Sequence, residues 1–137
     1  MGGQTILLVD DEVKQRKKMR RTLEAVGYKV MESRDYAEAS AIYQRFSDRI
    51  DLLLVDVCLP GNYGCELARR ALTGRPELRV LLMSGSTGAE VCRFYGISAT
   101  DVHFLAKPFR EADLLARVAY LLEDTSLGGK AAGVTTE

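Results

Sequence analysis

Polar side chains stand directly after short apolar runs at four places in this sequence of 137 residues. Asp10 and Asp11 follow the first run, and Asp56, Ser84 and Lys107 each follow a later one. Carboxylates that lie close together repel one another, so a protein tolerates them where a cation neutralises them or where a pKa rises. Mg²⁺ is a hard cation that binds one or two carboxylates together with water and phosphate oxygens. If the three aspartates meet, they therefore form a candidate magnesium site.

The same residue types can handle a phosphoryl group. A carboxylate such as that of Asp56 can attack phosphorus and form an aspartyl phosphate. The ammonium of Lys107 and the hydroxyl of Ser84 could then neutralise and hydrogen-bond the phosphoryl oxygens, since this transfer depends mainly on positioning and electrostatics. Simpler interpretations exist: Asp11 could cap a helix, Ser84 could start a loop, and Lys107 could be an exposed charge. The coincidence of all five residues favours the phosphoryl site.

A parallel α/β sheet would bring these residues together. The apolar runs cover residues 5–9, 29–31, 52–55, 80–83 and 103–106, and four of the five are apolar enough for burial on both faces. Amphipathic segments of helical period separate the runs. Five strands alternating with five helices predict a doubly wound parallel sheet with helices on both faces. Ligands of such sheets bind beyond the carboxyl ends of the strands, where all five polar residues are expected.

The helices are predicted from apolar residues spaced three and four positions apart. These residues are Met19, Leu23 and Val26; Ala39, Ile42, Tyr43 and Phe46; Leu67 and Ala71; and Leu114, Leu115, Val118, Leu121 and Leu122. A fourth helix around residues 88–95 has fewer apolar positions and a glycine near each end. Gly27 is placed to end the first helix in a left-handed conformation.

Composition sets limits on compartment and partners. Basic and acidic side chains number 19 each, so net charge draws the chain neither to nucleic acid nor to an anionic membrane. Residues 1–4 lack the basic and apolar regions of a signal peptide, and no apolar run approaches the roughly 18 residues of a membrane span. Cys58, Cys65 and Cys92 lack metal-ligand spacing and are expected to be free thiols. We therefore expect a cytoplasmic protein without direct nucleic-acid binding or membrane insertion.

Four segments resemble the motifs of response-regulator receiver domains of two-component signalling. They are LLVDDE at 7–12, LVDVCLP at 54–60 with Gly64, LMSG at 82–85 and FLAKPF at 104–109, in the family's order and at similar intervals. The resemblance covers about residues 4–124 and implies a flavodoxin-like sheet with strand order 2-1-3-4-5. We accordingly expect an N-terminal extension at 1–4, a receiver domain at 5–124 and a flexible tail or linker at 125–137.

The resemblance also implies a role for each acidic residue. Asp56 is the phospho-acceptor by this comparison. Asp10 and Asp11 form the acidic pair that binds Mg²⁺ together with Asp56, and the backbone carbonyl of Cys58 completes the metal site. The phosphoryl group would come from a histidine kinase or a phosphotransfer protein. Such a domain is a regulatory acceptor and not an enzyme, although it assists its own phosphorylation and dephosphorylation.

The remaining motif residues imply a switch. Lys107 takes the position of the family's phosphate-binding lysine, with a cis peptide expected before Pro108, and Ser84 takes the position of its hydroxyl residue. Phosphorylation then shifts a conformational equilibrium: Ser84 engages the phosphoryl group and Phe104 repacks. The surface built by the fourth helix, fifth strand and fifth helix changes with it. Phe104 stands where a tyrosine would offer a hydroxyl, so its movement would be repacking alone.

The resemblance leaves the context of the domain open. A stand-alone regulator, a part of a longer response regulator and the receiver of a hybrid sensor histidine kinase all fit, and the segments at 3–9 and 80–85 look like those of hybrid kinases. The output partner or attached domain is unidentified, although the chain ends about a dozen residues after its last predicted helix. A dimer that forms on phosphorylation is a further expectation.

Three other classes of protein fit the sequence less well. A haloacid-dehalogenase-like phosphatase also forms an aspartyl phosphate with Mg²⁺, but its nucleophile ends the first strand and a second acid follows two residues later, whereas Asp10, Asp11 and Glu12 are consecutive and Val13 follows. A phosphorylation-independent pseudo-receiver should have lost one of the five site residues, all of which are present. A flavin mononucleotide binder needs a phosphate loop where this chain has acids.

Overall fold

The computed structural model describes residues 3–57, 63–85, 90, 96–97 and 102–126. Its strands are β1 (Thr5–Val9), β2 (Lys29–Ser33), β3 (Leu52–Asp56), β4 (Arg79–Ser84) and β5 (His103–Ala106). Its helices are α1 (Val13–Ala25), α2 (Tyr36–Phe46), a 3-10 turn (Ser47–Arg49), α3 (Tyr63–Gly74) and the C-terminal helix (Glu111–Ser126). Apart from Glu90, the predicted fourth helix at 88–95 lies outside the described residues.

The strands form one parallel sheet in the order β2-β1-β3-β4-β5, which confirms the predicted fold. The register aligns the carboxyl ends of the central strands: Val9 pairs with Val55, and Asp56 pairs with Met83. The hydrogen-bond ladder continues just past the strands, because the N–H of Asp10 donates to Ser33 at 3.1 Å. The N–H groups of Val57 and Lys107, which follow β3 and β5, are likewise bound to the neighbouring strand.

Helices cover both faces of the sheet and bury two apolar clusters. Successive side chains of a strand point to opposite faces. The cluster with α2 and α3 contains Leu7, Val9, Leu53, Val55, Val80 and Leu82. The cluster with α1 and the C-terminal helix contains Ile6, Leu8, Leu52, Leu54, Leu81 and Met83. Both faces of β1, β3 and β4 are thus apolar, as is typical of the central strands of a parallel sheet.

Two details of the sequence prediction are wrong. Four strands were expected to be buried on both faces, but β5 is an edge strand in which Phe104 is half-buried and Ala106 is exposed. The apolar run of β5 suggested burial on both faces, although the predicted strand order already placed β5 at the edge of the sheet. Val26 was placed on the buried face of the first helix, but that helix ends at Ala25 and Val26 is 52% exposed.

The end of α1 has the predicted glycine cap. Gly27 has a φ of 105°, in the left-handed region that favours glycine. Its N–H donates to the carbonyl of Glu24 at 3.0 Å, and the N–H of Tyr28 donates to that of Leu23 at 3.3 Å. This pair of hydrogen bonds is the Schellman arrangement, which satisfies carbonyls left open at a helix end. It turns the chain directly into β2.

The C-terminal boundary differs slightly from the prediction. The C-terminal helix continues to Ser126, two residues beyond the expected end of the domain at 124. Residues 127–137 lie outside the described part, so a flexible tail there stays a prediction. Among the described helices, none combines the length and the apolar character needed to cross a membrane.

Candidate functional site

Three carboxylates meet at the carboxyl edge of the sheet. One carboxylate oxygen from each of Asp10, Asp11 and Asp56 lies within 4.8 Å of the others. Asp10 is 1% exposed and Asp56 is 5% exposed, whereas Asp11 lies open to solvent. Because β1 and β3 are neighbours in register, the residues at their ends must lie side by side. A set of hard oxygen donors, open on one side, fits a cation such as Mg²⁺ that also keeps water or phosphate oxygens.

The electrostatics of Asp10 favour a cation at this site. Burial raises the pKa of Asp10, and the negative charges of Asp56 and Asp11 raise it further. The hydrogen bond from the N–H of Glu12 to Asp10 Oδ1, at 2.9 Å, and the charge of Lys107 oppose this rise only in part. The charged form of Asp10 is thus less favourable than that of an ordinary aspartate, and a bound divalent cation would favour it.

Lys107 reaches the cluster from the end of β5. Its Nζ donates to Asp56 Oδ2 at 2.8 Å, and its backbone N–H donates to the carbonyl of Ser84 at 2.9 Å. The side chain is only partly exposed, so the interpretation as an ordinary surface lysine does not describe it. The peptide between Lys107 and Pro108 is cis, as predicted. Lys107 therefore joins the acidic cluster to the last two strands.

Ser84 and Phe104 lie on neighbouring strands. Ser84 is the last residue of β4, is buried, and pairs with Ala106, while Phe104 pairs with Leu82. Because side chains alternate along a strand, Ser84 and Phe104 belong to the same face of the sheet. Phe104 packs partly buried against the apolar cluster of α2 and α3, and its carbonyl accepts a hydrogen bond from Arg117 of the C-terminal helix.

The alternative role of Asp11 as a helix cap finds no support. The cap position of α1 is Glu12, and its side chain makes no capping hydrogen bond. The N–H of Glu12 is bound by Asp10 and not by Asp11. Asp11 is therefore left as an exposed carboxylate beside two buried ones. The predicted carbonyl ligand Cys58 lies outside the described residues, as does Cys92, and Cys65 is buried in α3.

Gly64 is a site residue for which the sequence supplied no reason. A Cβ at this position would lie 2.2 Å from the carbonyl oxygen of Asp56 and 3.0 Å from the Cα of Val57. The first turn of α3 thus packs directly on the backbone of the central aspartate. Glycine inside a helix lowers helix stability by up to about 1 kcal/mol relative to alanine. The close approach explains why glycine stands here, since only a residue without a Cβ fits against the Asp56 carbonyl. Only its place within the second motif pointed to it in the sequence.

A second layer of charge behind the acidic cluster was also missed. Arg16 of α1 donates from Nη1 to the carbonyl of Asp10 and from Nε to Oε1 of Glu32 on β2, both at 2.8 Å. Lys17 and Arg20 also pair with Glu32. Burial alone would raise the pKa of Glu32, but the hydrogen bonds from Arg16, Arg20 and Lys17 outweigh it and lower the pKa to about 2. Because these residues lie on two separate elements, no local sequence motif predicts their contact.

Known proteins are similar to this chain in sequence and in fold. The family model of the response regulator receiver domain matches residues 6–119. The phosphate regulon transcriptional regulatory protein PhoB of Pseudomonas aeruginosa is 35% identical over 137 residues, which cover 98% of this chain and 58% of PhoB. A response regulator receiver domain structure from Clostridium thermocellum has a TM-score of 0.78 at 22% identity, covers 91% of this chain and 98% of its own, and supports the fold.

A third relative is the receiver domain of the hybrid histidine kinase CckA. It is 33% identical with a TM-score of 0.71, and the match covers 86% of this chain and 98% of that structure. The chain spans about half the length of the curated relatives it matches, 58% of PhoB and 51% of the response regulator MprA of Mycobacterium ulcerans. The matched region includes every strand end that contributes to the acidic site. The chain belongs to the response-regulator receiver-domain family of two-component signalling.

Proposed function

We propose that this receiver domain is a phosphorylation switch whose acceptor is Asp56. The proposal is carried by the surroundings of Asp56: its buried carboxylate accepts a hydrogen bond from Lys107 at 2.8 Å and has the carboxylate oxygens of Asp10 and Asp11 within 4.8 Å. A nucleophilic carboxylate, a fixed ammonium and metal-binding acids are the groups that phosphoryl transfer to a protein requires.

The phosphoryl donor in this proposal is a phosphohistidine of a histidine kinase or phosphotransfer protein. One carboxylate oxygen of Asp56 forms the new bond to phosphorus while the P–N bond breaks, and its electron pair stays with the imidazole. Lys107 and Ser84 stabilise the phosphoryl oxygens. Asp10, Asp11, Asp56 and the carbonyl of Cys58 would hold Mg²⁺, which supplies positive charge to those oxygens. In this way the domain acts as a regulatory phosphoryl acceptor that assists its own phosphorylation and dephosphorylation.

The output of the switch is a change of surface. Once phosphorylated, Asp56 attracts Ser84 and Lys107, which end β4 and begin the turn after β5. Phe104 lies on β5, three residues before Lys107, and its carbonyl accepts a hydrogen bond from Arg117 of the C-terminal helix. A shift of the turn would therefore repack Phe104 and alter the face formed by the predicted fourth helix, β5 and the C-terminal helix. A partner, an attached domain or a second copy would recognise that face.

Acceptance of one phosphoryl group tests the proposal. With Mg²⁺ and acetyl phosphate, intact-mass spectrometry should detect one added phosphoryl group on the wild-type domain and none on Asp56→Asn. Asp48→Asn is the matched control, because Asp48 is an exposed acid in the 3-10 turn that precedes β3, at the other end of the sheet. It should be phosphorylated like the wild type. Undiminished labelling of Asp56→Asn would remove Asp56 as acceptor, and labelling without Mg²⁺ would remove the metal role.

A further inference from the structure

Arg16 is a buried cation that connects the acidic site to the edge of the sheet. Its side chain is 11% exposed, and its guanidinium bridges two acceptors on different elements: the carbonyl of Asp10, after β1, and the carboxylate of Glu32, on β2. A buried cation is costly unless it is paired and hydrogen-bonded. The planar fork of arginine suits this task, because it holds two acceptors in a fixed relation that a single ammonium cannot reproduce.

Glu32 is a charged hydrogen-bond acceptor that holds the Arg16 guanidinium in place. Lys17 Nζ lies 3.2 Å from Glu32 Oε2, and Arg20 Nη1 binds the same oxygen. Since the pKa of Glu32 is about 2, its carboxylate stays charged throughout the physiological range. Lys17 and Arg20 would suffice to pair this carboxylate from the solvent side. The distinct contribution of Arg16 is therefore its second hydrogen bond, the one to Asp10.

That hydrogen bond completes the fixation of Asp10. The backbone N–H of Asp10 is bound to Ser33 at 3.1 Å, and its carboxylate accepts from the N–H of Glu12 at 2.9 Å. The N–H of Arg16 in turn donates to the carbonyl of Glu12 at 3.0 Å. With its carbonyl held by the guanidinium, Asp10 has its backbone N–H, its carbonyl and one carboxylate oxygen hydrogen-bonded. Because these hydrogen bonds hold the backbone of Asp10, they also set the direction in which the chain continues to Asp11.

We propose that Arg16 is a positioning residue that fixes the turn from Asp10 to Glu12 and thereby sets the Mg²⁺ affinity of the site. The inference rests on the proposed function, because it concerns the metal that the acidic cluster would bind. Residues that orient metal ligands from outside typically change metal affinity about 10- to 100-fold when replaced. Arg16 acts on a ligand's backbone and not on its carboxylate, so we expect the lower end, about tenfold.

The test compares Arg16→Met with a matched variant elsewhere. Arg16→Met keeps much of the apolar stem and leaves Glu32 paired with Lys17 and Arg20, so that no bare charge is buried. Arg75→Met is the control, because Arg75 Nη1 also donates to backbone carbonyls, those of Ser47 at 2.7 Å and Ile50 at 2.6 Å, before β3 begins. Both variants should be less stable than the wild type. Only Arg16→Met should weaken Mg²⁺ binding.

Mg²⁺ titrations followed by amide NMR shifts supply the dissociation constants. We expect Arg16→Met to raise the constant about tenfold and to shift the amides of Asp11 and Glu12 before any metal is added. Arg75→Met should do neither. Arg16→Lys should recover only part of the affinity, because its single nitrogen lacks the fork; full recovery would overturn the positioning role of the guanidinium.

Failure of the inference and failure of the proposed site give different results. A wild-type domain that binds Mg²⁺ through Asp11, beside an Arg16→Met variant of equal affinity, would overturn the inference alone. A wild-type domain that binds no Mg²⁺ would overturn the proposed metal site and the inference together. If Arg16→Met does not fold, Arg16→Lys takes its place, because it keeps a cation beside Glu32 but lacks the fork that also reaches the Asp10 carbonyl, and an unchanged dissociation constant there would equally overturn the inference.

Discussion

Replacement of Gly64 by alanine should damage both the stability and the chemistry of the site. The added Cβ would lie 2.2 Å from the Asp56 carbonyl oxygen, and real Cβ atoms essentially never approach within 3.0 Å, so helix and strand must separate by at least 0.8 Å. Overpacking of this kind costs about 1–3 kcal/mol, and the better helix propensity of alanine returns at most about 1 kcal/mol. We expect the free energy of unfolding to fall by roughly 1–2 kcal/mol.

The same displacement should slow phosphorylation. Misplacement of a reacting group by about 1 Å can cost up to roughly 100-fold in rate, so about a tenfold slower gain of mass with acetyl phosphate is expected for Gly64→Ala. Gly74→Ala is the control, since Gly74 is the last residue of the same helix and its added Cβ would meet nothing within 4 Å. It should keep the wild-type rate and lose no stability.

Urea denaturation and time-resolved intact-mass spectrometry measure the two effects. If Gly64→Ala unfolds at the wild-type urea concentration, the close approach of α3 to β3 does not exist in solution. If it is destabilised but phosphorylated at the wild-type rate, the carbonyl of Asp56 can move without moving its carboxylate. Either result would refute the connection between helix packing and acceptor geometry.

Three further predictions concern the metal, pH and output. Mg²⁺ at ten times its dissociation constant should stabilise the wild type by about 1.4 kcal/mol, and Asp11→Ala should lose most of this gain in thermal melts. The pKa of Asp10 is raised above 3.8, mainly by burial, so its protonated form is the one that favours folding, and this stability is lost as pH rises through the folded-state pKa. Urea denaturation at pH 7 without Mg²⁺ should therefore find Asp10→Asn more stable than the wild type. A beryllofluoride adduct on Asp56 should shift amides near Phe104, and Ser84→Ala should keep the adduct but shrink those distant shifts.

Each of these expectations has a contrary outcome. An identical Mg²⁺ response of wild type and Asp11→Ala would remove Asp11 from the metal site. Lower stability of metal-free Asp10→Asn would mean that the hydrogen bond to Glu12 outweighs burial and repulsion. Adduct shifts confined to the acidic cluster, already in the wild type, would show that the output uses a surface other than the one around Phe104.

The fold was predictable because its signals are local. Short apolar runs that alternate with amphipathic segments allow few architectures, and parallel strands place their carboxyl ends at one edge. Asp10, Asp56 and Lys107 could therefore be grouped before any distance was known, and the 2.8 Å contact between Lys107 and Asp56 agrees with that grouping. The edge position of β5 followed from the strand order that the family resemblance implies and not from its apolar run, since a short apolar run looks the same whether the strand has one neighbour or two.

Contacts between separate elements were not predictable from periodicity. Arg16 and Glu32 look like two surface charges in a chain with balanced charge, and only the packing of α1 against β2 makes them a buried pair. Gly64 reads as an ordinary helix residue until α3 is placed on β3. Both cases depend on a distance between elements, which a pattern along one element does not contain.

The charge balance of the site would suit Lys107 to respond to the proposed phosphorylation of Asp56. Three carboxylates and one ammonium leave two negative charges when all are ionised, which a divalent cation would neutralise. A phosphoryl group on Asp56 replaces one negative charge by about 1.5 to 2, so the proposed switch would draw the ammonium from the carboxylate toward the phosphoryl oxygens. The backbone N–H of Lys107 is held by Ser84, and the residues before it form β5. Movement of the Lys107 side chain would therefore displace the ends of β4 and β5, and Phe104 lies on β5. Lys107→Met removes the charge, so a beryllofluoride adduct on Asp56 should then no longer shift the amides of β5.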